Sequence, residues 1–139
     1  MNKYAITIIS IFVVVGRLFA SPEDEVLHGS VKELKDLRAE KAIFADSSRK
    51  KPLVLKSLKD GAKYFDKETL ATISKTVDFE KHVVLVFAWK GSGQDRMGFQ
   101  VAESSPAQVG FTYQPGRTRD LRPHVKVFVV DKDAKWSVK

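Results

Sequence analysis

Hydrophobic residues run without interruption from Val83 to Trp89, and a polar, glycine-rich loop of residues 91–96 follows directly. A continuous apolar run rich in β-branched residues predicts a strand that is covered on both faces, or on one face with its neighbours shielding the other. We therefore expect this run to be the central strand of a sheet, with the loop leading into a strand that returns beside it.

After the loop, apolar and polar residues alternate in three further segments, as they do in strands with one buried face. The predicted buried positions are Met97, Phe99 and Val101, then Val109, Phe111 and Tyr113, and finally Val125, Val127 and Val129. Residues 104–106 and 114–116 are predicted turns, the second of type II, and residues 136–138 are a last short strand. Sequential strands with short connections favour an antiparallel meander at the C-terminal end.

The segment before the central strand predicts a helix and a hairpin. Ser30 and Glu33 have the spacing of a capping box, and residues 30–37 carry an apolar residue at every third position, at Val31, Leu34 and Leu37. This segment is therefore predicted to be helical. Residues 41–45 and 52–55 are predicted to be two short strands that pair as a hairpin.

Two more helices are predicted between the hairpin and the central strand. One covers residues 57–65 with Ser57 as its N-cap, and the other covers residues 66–77. The second carries an apolar stripe that we expect to pack against the sheet, formed by Leu70, Ile73 and Val77. The predicted fold over residues 30–139 is a single α+β domain, with two or three short helices, mostly N-terminal, against an antiparallel sheet of four to six strands.

The first twenty residues have the layout of a signal peptide. Lys3 gives a basic start, residues 5–15 are apolar, and a small residue precedes the expected cleavage point after Ala20. The alternative is a retained membrane anchor, but the apolar run is shorter than the roughly 18–20 residues that span a bilayer. We expect export to the periplasm or the extracellular space, a flexible lead-in over residues 21–29, and no transmembrane span after cleavage.

The composition limits the chemistry that the chain can perform. It contains no cysteine, which excludes disulfides, thiolate metal sites and thiol catalysis. Basic side chains number 24 and acidic ones 17, so the chain has a net charge of +7. This excess favours weak attraction to anionic polymers or membrane surfaces, although ordinary solubility is the simpler explanation.

The loop of residues 91–96 is the first candidate binding site. It contains two glycines, which allow positive φ and expose N–H groups, and polar side chains that can contact an anion or a polar ligand: Ser92, Gln94, Asp95 and Arg96. The loop lacks the residue spacing of a phosphate-binding loop or of a nucleophile elbow. The alternative is a hairpin loop whose backbone is fixed by hydrogen bonds from Gln94 or Asp95.

A basic segment, residues 117–126, is the second candidate. Its guanidinium groups suit carboxylates and phosphates, so we predict binding roles for Arg117, Arg119 and Arg122, with Trp89 available for stacking. The alternative is that Asp120 pairs with these arginines or with the loop of residues 91–96 and holds the two turns together. No RNA- or DNA-binding signature accompanies the segment, so nucleic acid is not an expected partner.

Catalytic and metal sites are poorly supported. The three histidines, His28, His82 and His124, lack the spacing of zinc ligands, and we predict no metal and no cofactor. A hydrolase that uses Ser92 or Asp95 together with His124 is the alternative function, although neither an elbow nor an oxyanion motif accompanies these residues.

Two resemblances follow from these motifs. The step Val77-Asp78-Phe79 before the apolar strand resembles the C-terminal domain of PrcB-like protease-complex subunits, over residues 52–130. That family has Gly-Gly-Tyr at the start of its return strand, whereas this chain has Met97-Gly98-Phe99 there.

Residues 89–95 and 115–122 resemble the W-x-G-S-G-Q-D and P-G-x-T-R-D-L-R motifs of a group of small exported bacterial proteins of unknown function. The resemblance implies an exported α+β protein and assigns no reaction.

The function that we expect is a non-enzymatic interaction or accessory module of the periplasm or cell envelope. Its contact surface would combine the loop of residues 91–96 with the basic segment, and its partner would be another envelope protein or an anionic polymer.

Overall fold

The computed structural model describes residues 30–139, in which strands and short helices share the first half and strands alone make up the second. The strands are β1 Val31–Leu34, β2 Leu53–Leu55, β3 His82–Gly91, β4 Arg96–Ala102, β5 Gln108–Gln114, β6 Arg122–Asp131 and β7 Lys135–Val138. The helices are α1 Ile43–Asp46, α2 Leu58–Gly61 and α3 Lys67–Thr76. The predicted signal peptide and lead-in lie outside the described residues.

The larger sheet has the strand order β1-β6-β3-β2 and is antiparallel throughout. Its centre is the long β3–β6 ladder, which extends from the pair His82↔Asp131 to the pair Gly91↔Arg122. The prediction that the apolar run is a central strand is confirmed. Because its side chains are apolar on both faces, both faces of this strand must be covered by other layers of the fold.

The smaller sheet has the order β4-β5-β7, with β4 antiparallel and β7 parallel to β5. The predicted single meander is therefore wrong. The strand after the loop does not return beside β3, and β6 crosses back to the larger sheet. The physical reason is that both faces of β3 are apolar, so a second layer of strands is needed to cover the face that the helices leave open.

Two apolar clusters lie on opposite faces of the larger sheet. Alternate residues of β3 face the helices, namely Val84, Val86 and Ala88, and the intervening ones face the smaller sheet, namely Leu85, Phe87 and Trp89. The predicted apolar positions of β4 and β5 lie between the sheets and those of β6 lie under the helices, although four of them are only partly buried, namely Phe99, Val101, Tyr113 and Val125. The other face of β6 is buried as well, at Phe128 and Val130. Phe87, Phe111 and Phe128 join the two sheets, with ring centroids 5.0 to 5.9 Å apart.

Two of the helices begin where the sequence predicts. The Ser57 hydroxyl accepts a hydrogen bond from the Asp60 N–H at the start of α2, and the Asp66 carboxylate accepts one from the Thr69 N–H at the start of α3. The predicted stripe of α3 packs into the cluster beneath the larger sheet. The helices do not form an N-terminal block, because β1 precedes all of them and β2 separates α1 from α2.

The predicted helix over residues 30–37 is wrong, since the segment contains β1. β1 pairs with β6 from Val31↔Val130 to Leu34↔Val127. Glu33, expected to complete a capping box, instead forms an ion pair of 3.1 Å with Lys126. Asp36 then takes a positive φ of 60°, which ends any regular structure there. Pairing with an unoccupied sheet edge outweighs a local capping pattern in so short a segment.

The predicted strand over residues 41–45 is also wrong, because the segment leads into the single turn of α1. Ile43 is fully buried under the larger sheet. Buried Ser47 fixes the end of the turn, since its hydroxyl donates to the Val86 carbonyl at 2.6 Å and accepts from the Ala88 N–H at 3.1 Å. The expected hairpin partner, β2, pairs with β3 instead.

Within residues 30–139, no helix is long and apolar enough to cross a membrane.

Candidate functional site

The loop of residues 91–96 connects the two sheets and lies beside the connection between β5 and β6. The register of the strands requires this proximity, because Gly91 pairs with Arg122 in the larger sheet and Arg96 pairs with Gln114 in the smaller one. The two connections therefore start and end at neighbouring positions. We call residues 91–96 the first loop and residues 115–121 the second loop. The expected hairpin role of the first loop is wrong, since β3 and β4 belong to different sheets.

Asp95 ties the first loop to the second from a buried position. Its carboxylate accepts the Gly116 N–H at 2.7 Å and the Trp89 indole N–H at 3.1 Å. The hydrogen bond from the Gly116 N–H is the largest cause of the lowered pKa of Asp95. Burial of the carboxylate acts in the opposite direction, and the hydrogen bond from the Trp89 indole lowers the pKa further. Asp95 is therefore an ionised structural group whose donors come from β3 and from the second loop.

Asp120 ties the second loop back to the first. Its carboxylate accepts the Gly93 N–H at 3.0 Å, the Arg122 Nε–H at 2.7 Å and the Thr118 hydroxyl proton. The Thr118 hydroxyl, the Gly93 N–H and the Arg122 side chain, in that order, hold the pKa of Asp120 far below its ordinary value. The alternative in which Asp120 holds the two turns together matches this geometry.

Polar side chains of the first loop complete the connection. The Ser92 hydroxyl lies 2.5 Å from the Thr118 hydroxyl, and the Gln94 side-chain carbonyl accepts the Arg117 N–H at 3.2 Å. Ser92 and Gln94, which the sequence offered as ligand contacts, therefore form hydrogen bonds with the second loop. Together with Asp95 and Asp120 they form what we call the loop clasp.

The glycines of the clasp allow close approach of the two loops. Among residues 30–139 no glycine has a positive φ, so the expected positive φ in the first loop and the expected type II turn at residues 114–116 are both wrong. A Cβ on Gly93 would lie 2.6 Å from an Asp120 carboxylate oxygen, and one on Gly116 would lie 2.7 Å from the Gln94 carbonyl carbon. Side chains at these positions would push the loops apart.

His124 lies next to the first loop, but its hydrogen bond does not activate the Ser92 hydroxyl. The ring is stacked on Trp89, with centroids 4.9 Å apart, and Nε2 donates to the Ser92 backbone carbonyl at 2.7 Å. A general base for Ser92 would have to accept the hydroxyl proton instead. The structure thus brings His124, Ser92 and Asp95 into one region without arranging them as a nucleophile and its base.

The predicted arginines divide into one paired residue and three that extend into solvent. Arg122 is paired with Asp120 in the clasp. The side chains of Arg96, Arg117 and Arg119 are exposed and make no hydrogen bond or ion pair with other described residues. Arg96 and Arg117 line a shallow polar recess of about 550 Å³ between the two loops. We call these three side chains the arginine rim.

Sequence reasoning missed three contributors to this region. Thr118 forms a hydrogen bond with Ser92, and the Gly116 N–H donates to Asp95. The third contributor is Arg49, in the segment after α1, whose guanidinium carbon lies 4.6 Å from the centre of the Tyr113 ring. The i, i+2 spacing of Thr118 and Asp120 is a signal for a side-chain-capped turn and would have found the first of these. No local pattern connects Arg49 to a ring more than sixty residues later.

Acid should weaken the clasp through Asp120. Because its pKa in the folded state lies below the ordinary 3.8, its stabilising contribution is complete at neutral pH and is lost as pH falls below about 4. We expect Asp120→Asn to reduce the loss of stability between pH 7 and pH 3, measured as the shift in the urea midpoint. Asp133→Asn, in the exposed turn before β7, is the control. An unchanged pH dependence in Asp120→Asn would contradict this role.

No group of three or more histidine, aspartate or glutamate side chains in residues 30–139 is arranged to hold a metal ion. The side chains of the clasp form hydrogen bonds between the two loops, and those of the arginine rim can attract anions. The resemblance to PrcB-like subunits remains a prediction. Comparison with protein-family models, with curated proteins and with solved structures finds no match to this chain.

Proposed function

We propose that the protein is an exported, non-enzymatic interaction module of the periplasm or cell envelope that binds its partner through the arginine rim. The partner presents carboxylate, phosphate or sulfate groups, either on another envelope protein or on an anionic polymer. The observation that carries the proposal is that the clasp holds two loops rigidly together while the guanidinium groups of Arg96, Arg117 and Arg119 remain without partners among the described residues.

The arrangement of the rim supports binding more than it supports stability. Unpaired guanidinium groups contribute nothing to the folded state through ion pairs, yet each offers several N–H donors in a fixed plane. Arg96 begins β4 and Arg117 follows the Gly116 contact, so the backbone of both is fixed by neighbouring hydrogen bonds. A pre-organised backbone lowers the entropy that is lost when an anion binds.

The test is binding by a variant that lacks the rim. Arg96→Gln, Arg117→Gln and Arg119→Gln combined should lose at least tenfold in affinity for the partner recovered from envelope extract, or for dextran sulfate as a model polymer. Arg122 is left unchanged because it belongs to the clasp. The thermal midpoint of the variant should equal that of the wild type, because the three side chains contact no described residue through hydrogen bonds or ion pairs.

A charge-matched control separates specific binding from net charge. Lys59, Lys67 and Lys75 are exposed on α2 and α3, and their combined replacement by glutamine removes the same charge from the helical layer. This control should bind as the wild type does. Equal losses in both triple variants, or no loss in the arginine variant, would contradict the proposed surface.

A further inference from the structure

An apolar groove lies at the end of β6, beyond the point where β1 stops covering it. β1 pairs with β6 only as far as Val127, so the residues of β6 before that position have β3 alone as a strand neighbour. The groove is open to solvent, has a volume of about 740 Å³ and is lined by apolar side chains that include Leu37, Phe44, Leu121 and Val125. Binding sites for small molecules have volumes of about 300–1,000 Å³ and predominantly apolar walls.

The groove leaves a large hydrophobic side chain in water. Leu121 is 74% exposed, the most of any large hydrophobic residue described. It belongs to the second loop and follows Asp120 of the clasp directly. An exposed leucine at the wall of an apolar groove favours an occupant that covers it.

The charged groups of the groove all have one sign. The charged side chains that line it are Lys41 and Lys90, and neither forms an ion pair within residues 30–139. The Lys90 ammonium lies 5.6 Å from the centre of the Phe44 ring, which places a cation directly at the apolar wall. An occupant that matches this surface is apolar over most of its length and carries a negative charge.

An acyl chain fits these walls better than a peptide does. A peptide laid in the groove would place its backbone amides against apolar side chains, where unpaired amides are costly. Pro123, which lines the groove, has no N–H to donate to a peptide carbonyl. An acyl chain has no polar groups to satisfy, and its carboxylate can reach the ammonium groups.

We infer that this groove binds a single-chain amphiphilic carboxylate of the fatty-acid type. The alkyl chain lies along Leu37, Phe44, Leu121 and Val125, and the carboxylate pairs with Lys41 and Lys90. The groove shares no lining residue with the arginine rim, so the inference is independent of the proposed function. Fatty-acid binding and partner binding can each fail while the other stands.

Dodecanoate, used below its micelle-forming concentration with the purified full-length chain, is the probe. We expect one molecule to bind per chain in isothermal titration calorimetry. Butanoate lacks the chain and dodecyltrimethylammonium has the opposite charge, and both should bind at least tenfold more weakly. Lys90→Glu and Leu121→Asp should each weaken dodecanoate binding at least tenfold. Lys90→Glu removes a charged contact to the carboxylate of dodecanoate, and both variants place a like charge in the groove.

Matched controls replace the same residue types elsewhere. Lys67→Glu on α3 and Leu58→Asp on α2, where the leucine is 36% exposed, should bind dodecanoate as the wild type does. Equal affinity for dodecanoate and dodecyltrimethylammonium would overturn the inference, as would equal losses in the controls. If dodecanoate does not bind and Leu121→Asp abolishes recovery of an envelope protein, the occupant is a peptide and the inference is wrong.

Discussion

Asp95→Ala should lower the free energy of unfolding by about 3 kcal/mol, because it leaves one buried and one partly buried donor without their acceptor. The Trp89 indole N–H is buried between the sheets, and the Gly116 N–H is partly buried at the second loop. The indole is held in β3, where its ring packs between the sheets. Urea denaturation at pH 7, followed by tryptophan fluorescence, measures the change.

Two variants make this test specific. Asp133→Ala removes an aspartate from the exposed turn before β7 and should change stability by less than about 0.5 kcal/mol, as surface substitutions usually do. Asp95→Asn keeps one acceptor oxygen but no charge, and it should fall between the wild type and Asp95→Ala. If Asp95→Ala unfolds at the same urea concentration as the wild type, Asp95 does not hold the two loops together.

Gly116→Ala should destabilise the protein by about 1–3 kcal/mol, the cost of forcing a methyl group into a closely packed contact. The added Cβ would lie 2.6 Å from the Gln94 Cβ and 2.7 Å from its carbonyl carbon, and it would also meet the Ser92 hydroxyl. Since backbone atoms are among these neighbours, a side-chain rotation cannot relieve the overlap. The second loop must move, and the hydrogen bond from the Gly116 N–H to Asp95 then lengthens.

The matched control is the same substitution where there is space for it. A Cβ on Gly98, in the exposed face of β4, meets no atom within 4 Å. Gly98→Ala should therefore be neutral or slightly stabilising, by up to about 1 kcal/mol, because alanine has less conformational entropy to lose on folding. Thermal denaturation of both variants compares them directly. Equal effects at the two glycines would show that close approach is not the reason for Gly116.

The strands of the second half were predictable because each carries a clear period-two pattern or an unbroken apolar run. Val83 to Trp89 and Val125 to Val129 are long enough for the pattern to determine the element. Their partners were not predictable, because alternation tells which face is buried and not which strand lies alongside. The choice between one meander and two layers depends on the apolar face of β3 that the helices do not cover, a global property of the chain.

The two local errors of the first half have a different origin. Residues 30–37 carry a capping box and a helical period, yet β6 offers them a sheet edge, and tertiary pairing outweighs a weak propensity. In the clasp, the sequence offered Asp95 and Gln94 as groups that bond the backbone of their own loop, whereas both accept hydrogen bonds from the second loop. It offered Asp120 as a link between the two turns, but it did not predict the links from Asp95 to Gly116 and from Gln94 to Arg117, because these hydrogen bonds join residues more than twenty positions apart.

The β3–β6 ladder has a consequence for the entropy of the chain. Without β4 and β5, the two strands would be a long antiparallel hairpin, and the about 30 residues between Gly91 and Arg122 take the place of its turn. Closing so long a connection costs more entropy than closing a tight turn. Pairing of β4 with β5 brings Arg96 beside Gln114 and divides the connection into two short links. The clasp joins those two links, so it lies where the turn of a β3–β6 hairpin would be, and the β4–β5 pair is inserted beyond it.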